Sequence, residues 1–299
     1  MIASRRRLRL LAASGGIVAD LVLGEPPLRP HPVSAFGSLM AAVERRLWAD
    51  DRAHGVLHAA VGVAASSAAG GLLRSTAGAT YLSVAGRALR EAAASVGDAL
   101  DAGDLPAARL RVPALVGRDP DSLDEAGLVR AVVESVAENT VDAIVAPALA
   151  GAVGGAAGAL AYRGVNTLDA IVGHRNDRYE RYGWASACLD DLANWVPARV
   201  TAALVVAVRP AAGKQVWRAV REDAPAHPSP NAGVAEAAFA AALGVELGGA
   251  TVYAGRVEQR PRLGVGRPPE AADIAAACAL SRDVSLALAA GLAVAGALG

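Results

Sequence analysis

The sequence contains few of the residues on which several common kinds of site depend. Two cysteines, Cys188 and Cys278, in 299 residues exclude a disulfide scaffold and a cysteine-rich zinc module. The 29 basic and 29 acidic side chains cancel to a net charge of zero, so we expect no nucleic-acid partner. The single lysine, Lys214, follows a glycine in a surface-like stretch and is a poor candidate for a Schiff base. The chemistry must therefore rest on oxygen and nitrogen groups.

Short motifs that mark common catalytic sites are also missing. The sequence has no P-loop of the form G-x-x-x-x-G-K-[ST], no G-x-G-x-x-G after a strand, no H-E-x-x-H and no G-x-S-x-G. Any nucleotide must therefore be held by a different set of residues. We also find no set of alternating residues that predicts a β-sheet.

Apolar residues are abundant, with a hydrophobic share of 54% and a mean hydropathy of +0.33. This composition excludes a disordered chain and a coiled coil, which both need more charge. Two stretches, Ala53–Leu73 and Ala143–Tyr162, carry no formal charge over the roughly 20 residues that a helix needs to cross a bilayer. Their glycines and alanines favour close helix packing in a membrane, although a buried core helix of a soluble enzyme has a similar pattern.

Shorter apolar runs flank these stretches, at Leu8–Leu23, Ser75–Ala85, Val200–Val208 and Val284–Gly299. The arginines at Arg5–Arg9 are expected to hold the start of the first run in the cytoplasm. A cleaved signal peptide is the alternative, but Asp20 within the run and the lack of a clear cleavage site favour a retained helix. We predict a mostly α, multi-pass integral membrane protein, in which residues 1–299 form a single domain with polar, cytoplasm-facing loops.

Polar residues concentrate in blocks that predict these loops, at about residues 20–33, 134–142, 163–199, 227–233 and 256–270. Four prolines in the first block disfavour a helix there. In the second block Glu134, Glu138 and Asp142 have i, i+4 and i+8 spacing, which places them on one face of a helix. A stripe of carboxylates suits Mg²⁺, and the alternative is a solvated helix face.

The third block combines carboxylates with arginines. Asn176–Arg181 predicts a charged loop, and it is followed by a short helix that Pro197 limits. On that helix the spacing of Asp190, Asp191 and Asn194 again brings polar groups to one side. Carboxylates that hold a metal and arginines that bind phosphate oxygens suit a metal–polyphosphate, with structural ion pairs as the alternative.

The last two blocks are rich in proline and glycine. His227–Gly233 predicts a rigid turn before a helix that begins near Val234. The block 256–270 predicts a basic loop of the kind that often covers an anionic ligand.

Taken in order, the blocks resemble the CobD/CbiB family of cobalamin biosynthesis. The resemblance rests on seven motifs that extend over most of the chain: D-L-V-L-G-E-P…H-P-V (20–33), E-S-V-A-E-N-T-V-D (134–142), N-T-L-D (166–169), N-D-R-Y (176–179), G-W-A-S-A-C-L-D-D-L-A-N-W-V-P-A-R (183–199), H-P-S-P-N-A-G (227–233) and R-P-R-L-G…G-R-P-P (260–269). Cys188 and His174 depart from the family pattern, which has arginine and tyrosine there, and neither is given a catalytic role.

The resemblance implies an enzyme of the cell membrane that joins adenosylcobyric acid, a corrinoid, to aminopropanol or its O-phosphate. It implies ATP and Mg²⁺ as co-reactants, and membrane lipid as the surroundings. Association with a second copy or with other enzymes of the pathway is a further hypothesis.

The site residues expected from the motifs fall into three groups. The catalytic group is His227, Glu138, Asn139, Asp190, Asp191 and Asn194, in which His227 or one of the acids would take the proton of the amine. The magnesium ligands are expected among Glu138, Asp142, Asp169 and Asp190, with Asp191 beside them. The substrate-binding group is Asn166, Asn176, Arg178, Tyr179, Arg199, Ser229, Asn231, Arg267 and His31, with Arg178, Arg199 and Arg267 neutralising phosphate. Asp20 and Glu25 are secondary candidates.

Other functions fit the same apolar and polar pattern. In a transporter for a small anion or a corrinoid, Glu138 and Asp142 would be coupling sites within the membrane, and inverted repeats, of which we find none, would favour it. A membrane-bound regulator and a soluble all-helical ligase are the remaining alternatives.

Overall fold

The structure is a computed structural model, and it describes residues 2–116, 123–174, 176–253 and 256–299. In chain order the helices are α1 (Ile2–Leu23), α2 (Pro32–Leu47), α3 (Arg52–Leu73), α4 (Thr76–Ser83), α5 (Gly86–Asp101), α6 (Leu105–Arg111), α7 (Glu125–Thr140), α8 (Ala146–Val172), α9 (Trp184–Val208), α10 (Gly213–Glu222), α11 (Ala232–Leu243) and α12 (Ala271–Leu298). A π-helical turn, Val141–Val145, joins α7 to α8. Strands β1 (Leu247–Tyr253) and β2 (Arg256–Leu263) form an antiparallel hairpin before α12.

Within the described residues, four helical segments are long and apolar enough to cross a membrane. They are Arg52–Leu73, Glu125–Val172, Trp184–Val208 and Ala271–Leu298. The first two contain the charge-free stretches found in the sequence. The predicted class, a mostly α, multi-pass membrane protein, is confirmed.

The chain forms two compact units, whereas the sequence was interpreted as a single domain. Unit 1 comprises the residues up to Ala85, Asp142–Pro197 and Leu288–Gly299. Unit 2 comprises Gly86–Val141 and Ala198–Ala287.

Unit 1 is built around α8, which packs against α1, α2, α3 and α4. Small residues allow α3 and α8 to approach closely, because Gly62 faces the side chain of Leu168 and Gly70 faces the backbone of Ala156. The two helices therefore run antiparallel.

A kink interrupts α8 at Gly155, whose φ of 67° and ψ of −152° are not helical. Only glycine adopts this backbone conformation without strain. A kink interrupts the regular hydrogen bonds of a helix next to it. Close to this kink, Nη1 of Arg9 in α1 donates a hydrogen bond to the carbonyl oxygen of Val153 at 2.8 Å. The first helix thus stabilises the bend in the central one.

Unit 2 encloses the alanine-rich helix α11, which is buried from Ala232 to Ala240. It packs against α7, α10 and both strands. The helix begins at Ala232, two residues earlier than predicted, because the Ser229 hydroxyl accepts hydrogen bonds from the backbone N–H groups of Asn231 and Ala232. The predicted turn precedes the helix as expected, but it ends at Asn231, and Ala232 and Gly233 are already helical.

Three of the predicted loops are regular structure instead. Residues 134–142 are helical, and most of 163–199 belongs to α8 and α9. Their polar side chains meet other polar groups on neighbouring turns and helices, so the density of polar residues did not indicate a loop. Residues 256–263 form β2, in which Leu263 pairs with Leu247 and both are fully buried. Glycine in β1 and proline in β2 obscured the alternation that predicts strands.

The prediction that Pro197 limits its helix was wrong, since α9 continues to Val208. A proline removes one helical hydrogen bond, at a cost of about 3 kcal/mol. In a segment that crosses a membrane there is no water to bind the backbone beyond the proline, so continuing the helix costs less than ending it.

Adjacent glycines in α3 provide a test of its packing. The substitution Gly70→Ala places a methyl group against the Ala156 carbonyl, whereas Gly71→Ala meets no atom within 4 Å. We expect Gly70→Ala to destabilise the protein by about 1–3 kcal/mol through overpacking. Gly71→Ala should be neutral or stabilising by up to about 1 kcal/mol. Thermal unfolding in detergent measures both, and equal effects would contradict the close approach of α3 and α8.

Candidate active site

Three motifs that are far apart in the sequence meet in unit 1. The side-chain amide of Asn166, on α8, lies 3.3 Å from Oδ2 of Asp142 and 3.4 Å from Oδ1 of Asp190. Asp142 belongs to the π-helical turn and Asp190 to α9. One amide nitrogen thus draws two carboxylates together, and the three residues form the centre of the candidate site.

Two further residues fix the orientation of Asp190. Asn194, one turn later on α9, donates from Nδ2 to Oδ2 of Asp190 at 2.9 Å. The Tyr162 hydroxyl in turn donates to Oδ1 of Asn194 at 2.7 Å. Asn194 is 2% exposed and Tyr162 is 5% exposed, so this part of the network is shielded from water. Because the Asp190 carboxylate can only accept, Nδ2 of Asn194 is directed at it and Oδ1 accepts from the Tyr162 hydroxyl.

Tyr162 and Arg163 belong to the site but were not among the predicted residues. Nη1 of Arg163 lies 3.4 Å from Oδ1 of Asn166, and the charges of Asp142 and Glu25 act on its guanidinium. The sequence did contain a signal, because these two residues end the charge-free stretch that begins at Ala143. Arg163 supplies the positive charge beside the carboxylate pair.

The donor set at this site fits a hard cation. Two carboxylates are oxygen ligands of the kind that Mg²⁺ takes, with one or two carboxylates joined by water and substrate phosphates, while the Asn166 amide directs its nitrogen at them. In the part of the chain that the structure describes, no group of three or more His, Cys, Asp or Glu residues could hold a metal ion. Asp169, one turn after Asn166 on α8, has its carboxylate next to Gly173 at the end of that helix. A metal would therefore depend on Asp142 and Asp190 together with the phosphates of a substrate.

The predicted loop at Asn176–Arg181 is anchored to α2. The carboxylate of Glu44, which is 6% exposed, accepts hydrogen bonds from Nη2 of Arg178 at 2.9 Å and from the Tyr179 hydroxyl at 3.0 Å. The bond to Glu44 raises the pKa of Arg178, whose guanidinium also lies over the Trp48 ring. In this structure, Arg178 and Tyr179 hold the loop in place.

Asn176 shapes the same loop from within. Its Oδ1 accepts from the backbone N–H groups of Arg178 and Tyr179, the hydrogen bonds of an Asx turn. The loop lines a cavity of about 540 Å³ together with the start of α9, including Asp191. Asp191 therefore faces this cavity, whereas Asp190 belongs to the Asn166 network.

In unit 2, His227 is enclosed between the turn and α11. Its Nδ1 lies 3.1 Å from the backbone nitrogen and 3.2 Å from the carbonyl oxygen of Ser229, and its Nε2 lies 3.8 Å from Oε2 of Glu236. Burial lowers the pKa of His227, and the charge of Arg260 lowers it further, against opposing contributions from the Ser229 backbone and Glu134. A neutral imidazole suits a general base, but its side chain is 4% exposed.

The predicted carboxylate stripe of α7 does not form one surface. Glu134 is 3% exposed and accepts a hydrogen bond from the N–H of Gly248 in β1, whereas Glu138 is exposed. Asn139 donates to the carbonyl and hydroxyl oxygens of Ser135 within the same helix. Glu134 thus fixes the hairpin, and Glu138 faces outwards.

Of the other predicted residues in unit 2, two arginines are engaged by neighbouring side chains. Nη1 of Arg199 donates to Oδ1 of Asn231 at 2.9 Å. Arg267 makes two hydrogen bonds to the Asp273 carboxylate, at 2.7 and 3.0 Å, and these raise its pKa. Ser229 has its hydroxyl at the start of α11, as described above. In this structure Arg199 and Arg267 bind neighbouring side chains, and Ser229 binds the backbone at the start of α11.

His31 occupies the N-cap position of α2 in unit 1. Its Nε2 is buried, and within the described residues no group forms a hydrogen bond with it. It thus differs from Arg178, Arg199 and Arg267, which are hydrogen-bonded to neighbouring side chains.

Comparisons with known proteins confirm the family that the motifs resemble. The sequence model of a family described as CobD/Cbib protein matches residues 13–281. A "Cobalamin biosynthesis protein CobD" of Mycobacterium tuberculosis (strain ATCC 25618 / H37Rv) is 45% identical over 297 residues, which cover 95% of each chain. Proteins of the same name from Geobacter metallireducens and Stutzerimonas stutzeri are 44% and 43% identical, covering 83% and 88% of this chain and 84% and 90% of theirs. No solved structure matches the chain.

The Tyr162 hydroxyl can be tested without changing the size of the ring. Tyr162→Phe leaves Oδ1 of Asn194 without its donor, so we expect a loss of stability of about 1–3 kcal/mol, the cost of an unsatisfied buried acceptor. Tyr81→Phe, in α4 and outside the network, is the matched control and should change stability by less than about 0.5 kcal/mol. Equal thermal shifts for the two variants in detergent would contradict the network.

The lowered pKa of His227 has a consequence for stability. At high pH His227 is neutral in both the folded and the unfolded protein, so its pKa does not affect stability. Below about pH 6.5 the unfolded protein binds a proton at this histidine more readily than the folded protein does, so the free energy of unfolding decreases. His227→Asn retains a polar group beside the Ser229 backbone but cannot be protonated. We expect its melting temperature to fall less than that of the wild type between about pH 7.5 and pH 5.5. His174→Asn, at an exposed histidine, should behave like the wild type.

Proposed function

Since the chain belongs to the CobD/CbiB family of cobalamin biosynthesis, we propose that it is an acid–amine ligase that acts on a corrinoid. It would join adenosylcobyric acid to (R)-1-amino-2-propanol or its O-phosphate, giving adenosylcobinamide or adenosylcobinamide phosphate. The observation that carries the proposal is the meeting of Asp142, Asn166 and Asp190, because it brings together acids and an amide from three separate motifs.

The reaction needs an energy source, because an amide does not form readily from a free carboxylate and an amine in water. We propose that ATP transfers a phosphoryl group, with release of ADP, or an adenylyl group, with release of pyrophosphate, to a carboxylate oxygen of the corrinoid. The amine nitrogen then attacks the carbonyl carbon, loses a proton, and displaces phosphate or AMP. The protein must therefore bind polyphosphate charge, orient the carboxylate and accept a proton.

Asp142 and Asp190 would hold the Mg²⁺ that accompanies ATP, for the reasons of donor chemistry given above. Bound there, the ion would neutralise charge on the phosphate oxygens. Arg163 supports the same role, because its guanidinium lies beside Asn166 and interacts electrostatically with Asp142. Arg178 and Arg267 are less suited to phosphate, since each is bound to a carboxylate of its own.

Asn166, Asn194 and Tyr162 would act by orientation. Asn166 draws the two carboxylates together, and Tyr162 acts through Asn194 on Asp190. Such fixed groups lower the barrier because they need no reorganisation during the reaction. His227 stays the proposed proton acceptor, with Glu138, Asn139 and Asp191 as further predicted members of the catalytic group.

We further propose that the protein works in the cell membrane, with its ATP-binding surface at the cytoplasmic side, where ATP is available. Its apolar helices support this location. Co-purification in detergent would reveal association with a second copy or with other enzymes of the pathway.

The test of the reaction is an end-point assay with the full-length protein in detergent. Adenosylcobyric acid, ATP and Mg²⁺ are supplied with either aminopropanol or its O-phosphate, and the mass of the corrinoid product is measured. We expect the amide with at least one amine, and the preferred amine identifies the substrate. No amide with either amine, from folded protein, would refute the ligase and favour the transporter or regulator.

Charge-removing variants test the carboxylate pair. Asp142→Asn and Asp190→Asn keep the shape of the side chain, and we expect each to lower the ligation rate by at least about 100-fold, as for removal of a group that stabilises charge in the transition state. Asp101→Asn, at the exposed end of α5, is the matched control and should retain the wild-type rate. Folded Asp142→Asn or Asp190→Asn protein with full activity would show that this pair does not bind the metal.

A further inference from the structure

Helix α10 presents an exposed face that carries positive charge and an aromatic ring. Its members have i, i+3, i+4 and i+7 spacing, which places them on one side of a helix: Lys214, Trp217, Arg218 and Arg221. The indole of Trp217 is 40% exposed. The opposite side of the helix is buried through Gly213, Val216 and Ala219. We call the four exposed residues the basic face of α10.

The basic face lies close to the end of an apolar helix. Segment α9, one of the candidate membrane spans, ends at Val208, and α10 begins at Gly213. Five residue steps cover at most about 18 Å even when fully extended. Part of the connection is a 3₁₀ turn, Pro210–Ala212, so the separation is shorter than that limit.

Arg209 marks the end of the apolar run of α9 and pairs with a carboxylate of α12. Arg209 directly follows the uncharged run Val200–Val208, and Asp283 directly precedes the uncharged run Val284–Gly299. Nη2 of Arg209 lies 2.8 Å from Oδ2 of Asp283. Because charges are favoured at the headgroup layer over hydrocarbon, Arg209 indicates that α9 leaves the apolar layer just before α10, which places the start of α10 near the membrane surface.

We propose that the basic face of α10 binds the anionic headgroups of the bilayer surface. Lysine and arginine near a membrane are attracted to anionic lipid, and tryptophan is enriched at the headgroup level. Glu222, at the edge of the face and 4.0 Å from Arg218, is the acid that opposes this attraction. The proposal concerns a different surface from the candidate active site and does not depend on the ligase reaction.

The single lysine of the chain makes the proposal directly measurable. An amine-reactive reagent labels Lys214 and the N-terminal amine, and peptide mass separates the two products. The full-length protein is placed in nanodiscs of phosphatidylglycerol or of phosphatidylcholine. We expect Lys214 to react about fivefold more slowly in phosphatidylglycerol at low salt, from the attraction of one cation to an anionic surface. The difference should nearly vanish at about 0.5 M salt.

Three variants keep the lysine reporter: two change the charge beside it on α10, and the third is a control that changes charge on α2. Arg218→Gln with Arg221→Gln should abolish the difference between the two lipids, whereas Glu222→Gln should enlarge it. Arg45→Gln with Arg46→Gln removes two exposed arginines from the end of α2 and should leave the difference unchanged. Opposite effects from neighbouring positions on one helix would be difficult to obtain through loss of folding.

Other occupants of the basic face give different results, and each would overturn the proposal. Equal protection of Lys214 in both lipids would indicate burial without charge recognition. Protection in detergent by soluble glycerol phosphate, equal to that in phosphatidylglycerol, would indicate a site for free phosphate. Protection in native membranes but not in phosphatidylglycerol nanodiscs would indicate a protein partner.

Discussion

A carboxylate surrounded by apolar helices is stable only where hydrogen-bond donors or cations meet it, and this requirement organises the polar residues of the protein. In unit 1 the donors to Asp142 and Asp190 are asparagine amides, one of which is fixed by a tyrosine hydroxyl. In unit 2 a backbone N–H of the hairpin meets the buried Glu134. Because the donors come from helices that are distant in sequence, the polar residues occur as separate motifs within an apolar chain.

The same requirement separates arginines that build the fold from those available for a ligand. Arg178 is bound to Glu44 and holds a loop against α2, and Arg267 is bound to Asp273 at the start of α12. Removing a buried partner would leave a charge uncompensated, so these pairs have a structural role whatever the reaction. Arg163 differs because it contacts an amide at the carboxylate pair, which makes it the better candidate for binding phosphate.

Small residues connect the membrane character of the chain to its site. Glycines on α3 let the central helix α8 approach closely, and α8 carries Asn166 and Tyr162 on the same segment. Close packing without large side chains restricts the movement of α8. The position of Asn166, whose amide contacts both carboxylates, therefore depends on the close packing of α8 against the glycines of α3.

The sequence by itself determined the class of the protein, its apolar segments and the residues of its motifs. Uncharged stretches long enough to cross a bilayer are visible without tertiary contacts, and so is the i, i+4 pair Asp190 and Asn194. Only the tertiary structure decided which motif residues meet. It brought Asn166 to Asp142 and Asp190, linked Tyr162 to Asn194, and bound Arg178 to Glu44. Spacing along one helix predicts neighbours on that helix alone, whereas these contacts join segments that are far apart in the chain. The hairpin likewise depends on strand pairing that its glycines and proline conceal.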